Sequence, residues 1–166
     1  MANLIKCGSI VADTWIRCDA TAEDFDIGKI AGANGTIVTL PVWLRHSVTL
    51  RTLPRVGVLL AGSDDPAQVA VDLPQLGLIA IEFPKFADGR GFSTARLLRE
   101  RYGFNGEIRA VGTYLPDQIY YLRRCGFDAF EVSDERADDA LGCWTPFSEP
   151  YQGAVDQAPL YQRRAA

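Results

Sequence analysis

Leu78-Ile79-Ala80-Ile81-Glu82-Phe83-Pro84-Lys85-Phe86-Ala87-Asp88-Gly89-Arg90-Gly91-Phe92-Ser93 is the stretch that decides how this chain folds. An apolar run of strand length ends at Phe83 and a polar, glycine-containing loop follows. Thr94-Ala95-Arg96-Leu97-Leu98-Arg99-Glu100-Arg101 then continues in a helical pattern. Strand, loop and helix in that order form the unit from which parallel sheets are wound. Gly89 and Gly91 let the loop turn sharply and bring backbone N–H groups close to a ligand, and Ser93 is a favoured N-cap. With Lys85 and Arg90 beside a helix start, the loop is a candidate anion site. The competing structural reading is a tight Gly-Arg-Gly connection in which Arg90 pairs with Asp88.

The same unit repeats on both sides. Val56 to Leu60 precedes Ser63-Asp64-Asp65-Pro66, a helix-start signal. Glu107 to Val111 precedes a helix opened by Pro116, and Ala129 to Val132 precedes a helical pattern over Asp134 to Leu141. Two of the helices close on Gly-Phe, at Gly103-Phe104 and Gly126-Phe127, as expected of a glycine C′ followed by a phenylalanine folding back on the last turn. Runs with little alternation suit a parallel sheet buried on both faces. The fold class is therefore α/β, a mostly parallel sheet of repeated βα units (open sheet or partial barrel) with an added N-terminal β region. The N-terminal strands are expected at one edge.

Before this core, Leu4 to Lys6, Ile10 to Ile16 and Thr36 to Leu40 are β-prone. Residues 19–34 read as loop, Pro41 marks a strand end at an edge or the start of the next segment, and Val42 to Leu53 fits neither period. Residues 1–143 are taken as one domain, with 1–53 β-rich and 54–143 the βα core. Residues 144–166, with Pro146, Pro150 and Pro159 among aromatics, form an extended tail over the domain or a neighbouring subunit. Apolar surface left by a small parallel core, with this tail as a clasp, leads us to expect a homo-oligomer.

Composition narrows the function classes. A net charge of −4 argues against a nucleic-acid partner. Four cysteines without C-x-x-C spacing and a single histidine, His46, give no metal or cluster signature, and no cofactor motif completes around Gly89 and Gly91. No secretory signal or membrane-length apolar run is seen, so a cytoplasmic protein with free thiols is expected. His46 is read as structural and Cys125 as a small buried hydrophobe.

Right-handed crossovers place the loops after the strands along one sheet edge, where ligands bind in such folds. Gly62-Ser63-Asp64, Lys85 to Ser93, Gly112-Thr113 and Ser133-Asp134 should converge there. The binding candidates are Gly89, Arg90, Gly91, Ser93, Arg109 and Thr113. Lys85 and Asp88 are the catalytic candidates: Lys85 as acid–base or Schiff-base residue, desolvated between Pro84 and Phe86, with Asp88 orienting it.

Phe83-Pro84-Lys85-Phe86, Asp88-Gly89-Arg90-Gly91-Phe92-Ser93, Ala95-Arg96-Leu97-Leu98-Arg99, Gly106 to Gly112, Asp117-Gln118 and Arg124-Cys125-Gly126-Phe127 together resemble an uncharacterised bacterial family. It is a domain of unknown function often encoded beside assimilatory sulfite reductase and phosphoadenylylsulfate reductase. The resemblance covers about residues 54–133, with Tyr151-Gln152 also alike; Thr113 departs from it, since the family tends to have an acidic residue after that glycine. It implies an accessory role in sulfate assimilation, with sulfite reductase or other proteins of that route as partners. Two functions of different class thus stand: an accessory protein binding a small oxyanion or partner at the Lys85–Ser93 loop, or a small barrel-like enzyme using Lys85.

Overall fold

A computed structural model describes residues 2–30, 32–145, 147 and 149–163. In chain order it contains β1 (Ala2–Lys6), β2 (Ser9–Val11), β3 (Ile16–Cys18), β4 (Thr36–Thr39), α1 (Leu40–Leu50), β5 (Val56–Leu60), β6 (Leu78–Phe83) and α2 (Arg90–Glu100). β7 (Glu107–Gly112), α3 (Ile119–Arg124), β8 (Ala129–Ser133), α4 (Ala137–Gly142) and α5 (Leu160–Arg163) follow. All eight strands form one sheet, in the order β2-β1-β8-β7-β6-β5-β4-β3. β3 to β8 run parallel in sequence order, and β1 and β2 add antiparallel to β8. The four core runs read from the sequence share this sheet.

The sheet is a partial barrel. β2 and β3 lie at opposite edges, yet only residues 12–15 join them. Five Cα steps reach at most about 18 Å, whereas eight strands laid flat would span roughly 34 Å. The sheet must therefore curl until its edges approach, and Arg17 of β3 indeed lies 2.9 Å from Glu131 of β8. This corrects the expectation that the N-terminal strands add at one edge. They flank the core on both sides, because curvature brings both edges within reach of one short segment.

Alternate residues along each strand point to different surroundings. Val58, Ile79, Ile81, Phe83, Ile108 and Phe130 join the large core beneath the helices, while Ile37, Leu78, Ala80 and Val111 form a smaller cluster on the concave face. Charged residues at alternate positions, Glu107 and Arg109 in β7 and Glu131 in β8, share that concave face. β5 and β6 are thus apolar on both faces, as the sequence reading had it, whereas β7 and β8 are apolar on the helix-covered face and charged on the concave one.

Several local readings change. Most of Val42 to Leu53 resolves into α1, which ends at Leu50, with Pro41 in its first turn, where the missing N–H costs nothing; of its two readings, the start of the next segment is the one the structure has. His46 (φ −120°) breaks the helix regularity; its Nε2 lies 2.8 Å from Ala22 O and its ring packs against Phe25, holding the 19–30 loop. The start signal near Pro66 yields only 3-10 turns, Pro66–Val69, which Asp65 caps by accepting the Ala67 N–H, and Leu73–Gln75. A second proline, Pro74, leaves no room for an α-helix there. Gly103 (φ +66°) and Gly126 (φ +106°) take the left-handed conformation, and Phe104 and Phe127 fold back into the core as the Gly-Phe pattern predicts.

The tail packs on its own chain. Val155 N–H donates to Arg124 O (3.1 Å), Arg124 bonds Gln152 O, and Phe147 meets Tyr120 edge-on at 5.2 Å. Pro146, Ser148 and residues 164–166, part of the sequence-based tail, lie outside the described residues. Among the described residues no helix is long and apolar enough to cross a membrane.

Candidate functional site

β6 ends at Phe83 and the chain passes through 84–89 into α2. Neighbouring loops pin that passage from both sides. Thr113 N–H donates to Phe83 O at 2.7 Å, and Gln118 Nε2 donates to Phe86 O at 3.1 Å. On the other flank, a Cβ on Gly62 would sit 3.2 Å from Asp88 Oδ2 and 3.4 Å from Arg90 Nη2. The loops after β5, β6 and β7 therefore meet, as the crossover rule requires. Ser133 and Arg136 border a cavity of about 280 Å³ with Gly112 and Thr113, which brings in the fourth loop. Asp134 at this corner accepts from Asn3 Nδ2 at 2.9 Å.

Within the loop Arg90 is already engaged. Its Nε donates to Asp88 Oδ1 at 2.9 Å and its Nη2 to Asp88 Oδ2 at 2.6 Å, a bidentate fork, while its backbone N–H reaches Oδ1 at 3.2 Å. The hydrogen bonds from Arg90 hold the Asp88 carboxyl at about 2, below its ordinary 3.8. The same contact raises the Arg90 guanidinium. Because the carboxyl is depressed in the folded state, its stabilising contribution is complete above about pH 4 and fades as pH falls toward 2. A carboxyl-carbon NMR titration should place the Asp88 midpoint near 2, and Arg90→Ala should return it to the ordinary carboxylate range. An Asp88 midpoint unmoved by Arg90→Ala would show that the pair does not form in solution.

The glycines and Ser93 serve packing more than a cradle. The N-cap of α2 is Gly89, not Ser93, which lies exposed one turn inside the helix. The chain enters the helix earlier because Asp88 accepts the Arg90 N–H, the task assigned to a serine cap. Gly91 lets α2 sit on the sheet, since a Cβ there would lie 2.5 Å from Phe83 Cζ. Lys85 is exposed, as are Pro84 and Phe86 beside it, so the desolvation that a Schiff-base lysine requires is not supplied by its neighbours. Phe86 itself is 56% exposed.

Arg109 does not belong to this loop cluster. It stands on the concave face, only 1% exposed, with Nη1 2.7 Å from Asp13 Oδ2 and Nε 3.0 Å from Glu107 Oε1. Lys6 Nζ shares Glu107 at 2.8 Å. Asp13, Glu107, Lys6, Arg17 and Glu131 were absent from the sequence-based site. The signal was present as period-two charges, Glu107 and Arg109, inside an otherwise apolar run. Cys125 is half-buried, and burial pushes its thiol up, away from reactivity. Among the described residues no group of His, Cys, Asp and Glu could hold a metal ion.

The family model for bacterial proteins of unknown function (DUF934) matches residues 57–161, from β5 through the tail to α5. This is more than half of the chain, and the protein belongs to that family. The match spans α2 to α4, the candidate loop and the tail packed over them, into α5; it begins within the 54–133 motif region, runs past its end and includes Tyr151-Gln152. No curated protein matches the chain.

Proposed function

We propose that this member of the family is a non-catalytic accessory protein of sulfate assimilation that docks a partner protein through the Lys85–Ser93 loop. The observation that carries the reading is Phe86. It is an aromatic ring 56% exposed at the tip of a loop whose base is fixed by Thr113, Gln118 and the Asp88–Arg90 fork. A rigid mount with an exposed aromatic beside a lysine is what an interface anchor needs, because little conformational entropy is lost when it is buried. Arg90 supports this partner reading over an oxyanion held in the loop, since its Nε–Nη2 edge is already committed to the Asp88 carboxylate, which also offsets its charge.

The sulfur-assimilation half of the proposal comes from the resemblance in the loop and its flanking motifs to proteins encoded beside assimilatory sulfite reductase. The test is binding of the purified protein to purified assimilatory sulfite reductase. Wild type should bind, and Phe86→Ala should lose about 2 kcal/mol, roughly thirtyfold in affinity, while keeping the wild-type Tm. Absence of wild-type binding, or equal binding by Phe86→Ala, would overturn it.

A further inference from the structure

We propose that Arg109 is an anion-binding arginine and that Asp13, on the segment crossing the mouth of the barrel, occupies its site as an internal stand-in for a ligand carboxylate or oxyanion. The proposal concerns the concave face and does not rest on the Lys85–Ser93 loop.

Residues 12–15 join the two edges of the sheet across its concave side. The two ends of this strap are held very differently. At one end Trp15 is wedged in place. A Cβ on Gly35 would lie 2.8 Å from its ring and one on Gly77 3.3 Å, and the Arg55 guanidinium stacks 4.5 Å from the ring centroid. At the other end, Ala12, Asp13 and Thr14 are exposed, following a strand of three exposed residues. Asp13 is held by its carboxylate: Oδ1 accepts Trp15 N–H at 3.0 Å and Oδ2 accepts Arg109 Nη1 at 2.7 Å. Asp13 can therefore swing away while Trp15 keeps its place.

Arg109 would then need another anion. Its remaining acceptor, Glu107, is already shared with Lys6. Nη2 lies 2.8 Å from Glu107 Oε1 but makes no hydrogen bond of acceptable geometry. A guanidinium 1% exposed with one nitrogen lacking an acceptor is costly to leave so, and a planar or tetrahedral anion can serve Nη1 and Nη2 together. Room exists beside it. A cavity of about 280 Å³ opens against Arg109 and Asp13, with Ile37 as an apolar wall and Arg17, Asp19 and Glu131 around it. An incoming carboxylate would replace the Asp13 carboxylate charge for charge, whereas a dianion such as sulfate would add one negative charge to these groups.

Ligand and strap thus compete for one guanidinium, and weakening the strap raises the fraction of molecules ready to bind. Asp13→Asn keeps an acceptor for Trp15 N–H but turns the carboxylate into a neutral amide. Sodium sulfate and sodium acetate, at ionic strength fixed with chloride, are the probes, one for oxyanions and one for carboxylates. In thermal titrations of the full chain, Asp13→Asn should respond to at least one of them at a concentration roughly tenfold or more below wild type. Adding Arg109→Gln to that variant should abolish the response. In wild type, the effective anion should speed amide hydrogen exchange at residues 12–14 without speeding it in β7. Equal responses from wild type and Asp13→Asn, or a response that survives Arg109→Gln, would overturn the proposal. Should Asp13→Asn fail to fold, the wild-type exchange experiment decides alone: no acceleration at 12–14 with either anion would overturn it.

Discussion

Arg99→Ala is expected to lower the free energy of unfolding by about 3 kcal/mol, because it strips one charged hub from several part-buried acceptors. Arg99 Nε donates to Gly126 O at 3.0 Å, Nη1 donates to Gly106 O at 2.8 Å and also to Phe104 O, and Nη2 pairs with Asp128. Asp128 in turn accepts Ile108 N–H at 2.9 Å. One side chain thus ties the turn after α2, the turn after α3 and the entry to β8. Lysine cannot replace that fork, so Arg99→Lys should recover less than half of the loss. Arg96→Ala is the internal control, since its partner Glu100 is 47% exposed and such pairs contribute at most about 1 kcal/mol. Urea unfolding of the variants checks this. An Arg99→Ala midpoint indistinguishable from that of Arg96→Ala would show that the hub is not formed.

The second large effect concerns two glycines that look interchangeable in the sequence. Gly112 has φ +92°, and a Cβ there would sit 2.5 Å from Phe83 O, an atom fixed by the Thr113 N–H. The three nearest atoms are all Phe83 backbone, which cannot give way as a side chain could, so Gly112→Ala should cost roughly 3 kcal/mol or more, a fall in Tm of roughly 6–12 °C. Gly89 has φ −83° and nothing within 4 Å of a Cβ. Gly89→Ala should therefore change stability by no more than about 0.5 kcal/mol. Similar losses at both positions would mean that the loops do not interlock as described.

Those two glycines show where sequence reasoning reaches and where it stops. The strand runs, the Gly-Phe helix ends and the meeting of the loops follow from local pattern and crossover handedness, and the structure has them. What was not legible depends on curvature and on competition between partners. Nothing near Ser9 or Ile16 says that they lie on opposite edges, because that follows from how far the whole sheet curls. Ser93 is a good capping residue, but Asp88 reaches the Arg90 N–H first and the helix starts before the serine. Arg109 carries the right charge for an anion site, yet it is third in a strand. Counting from Phe83 and Gly112, which pair at the loop edge, would have placed it inside the barrel instead. Arg99 was legible only as part of a motif. Its hydrogen bonds go to carbonyls of Phe104, Gly106 and Gly126, which carry no side-chain signal.

A photo-crosslinker at a single position reports the docking contact of the loop tip itself. Benzophenone-bearing residues at position 86, and in a separate protein at the 88% exposed Val71, would be irradiated with purified assimilatory sulfite reductase. Docking at the loop tip should give a covalent adduct with one reductase subunit from position 86 and none from position 71. Equal adducts from both positions, or none from position 86, would contradict it.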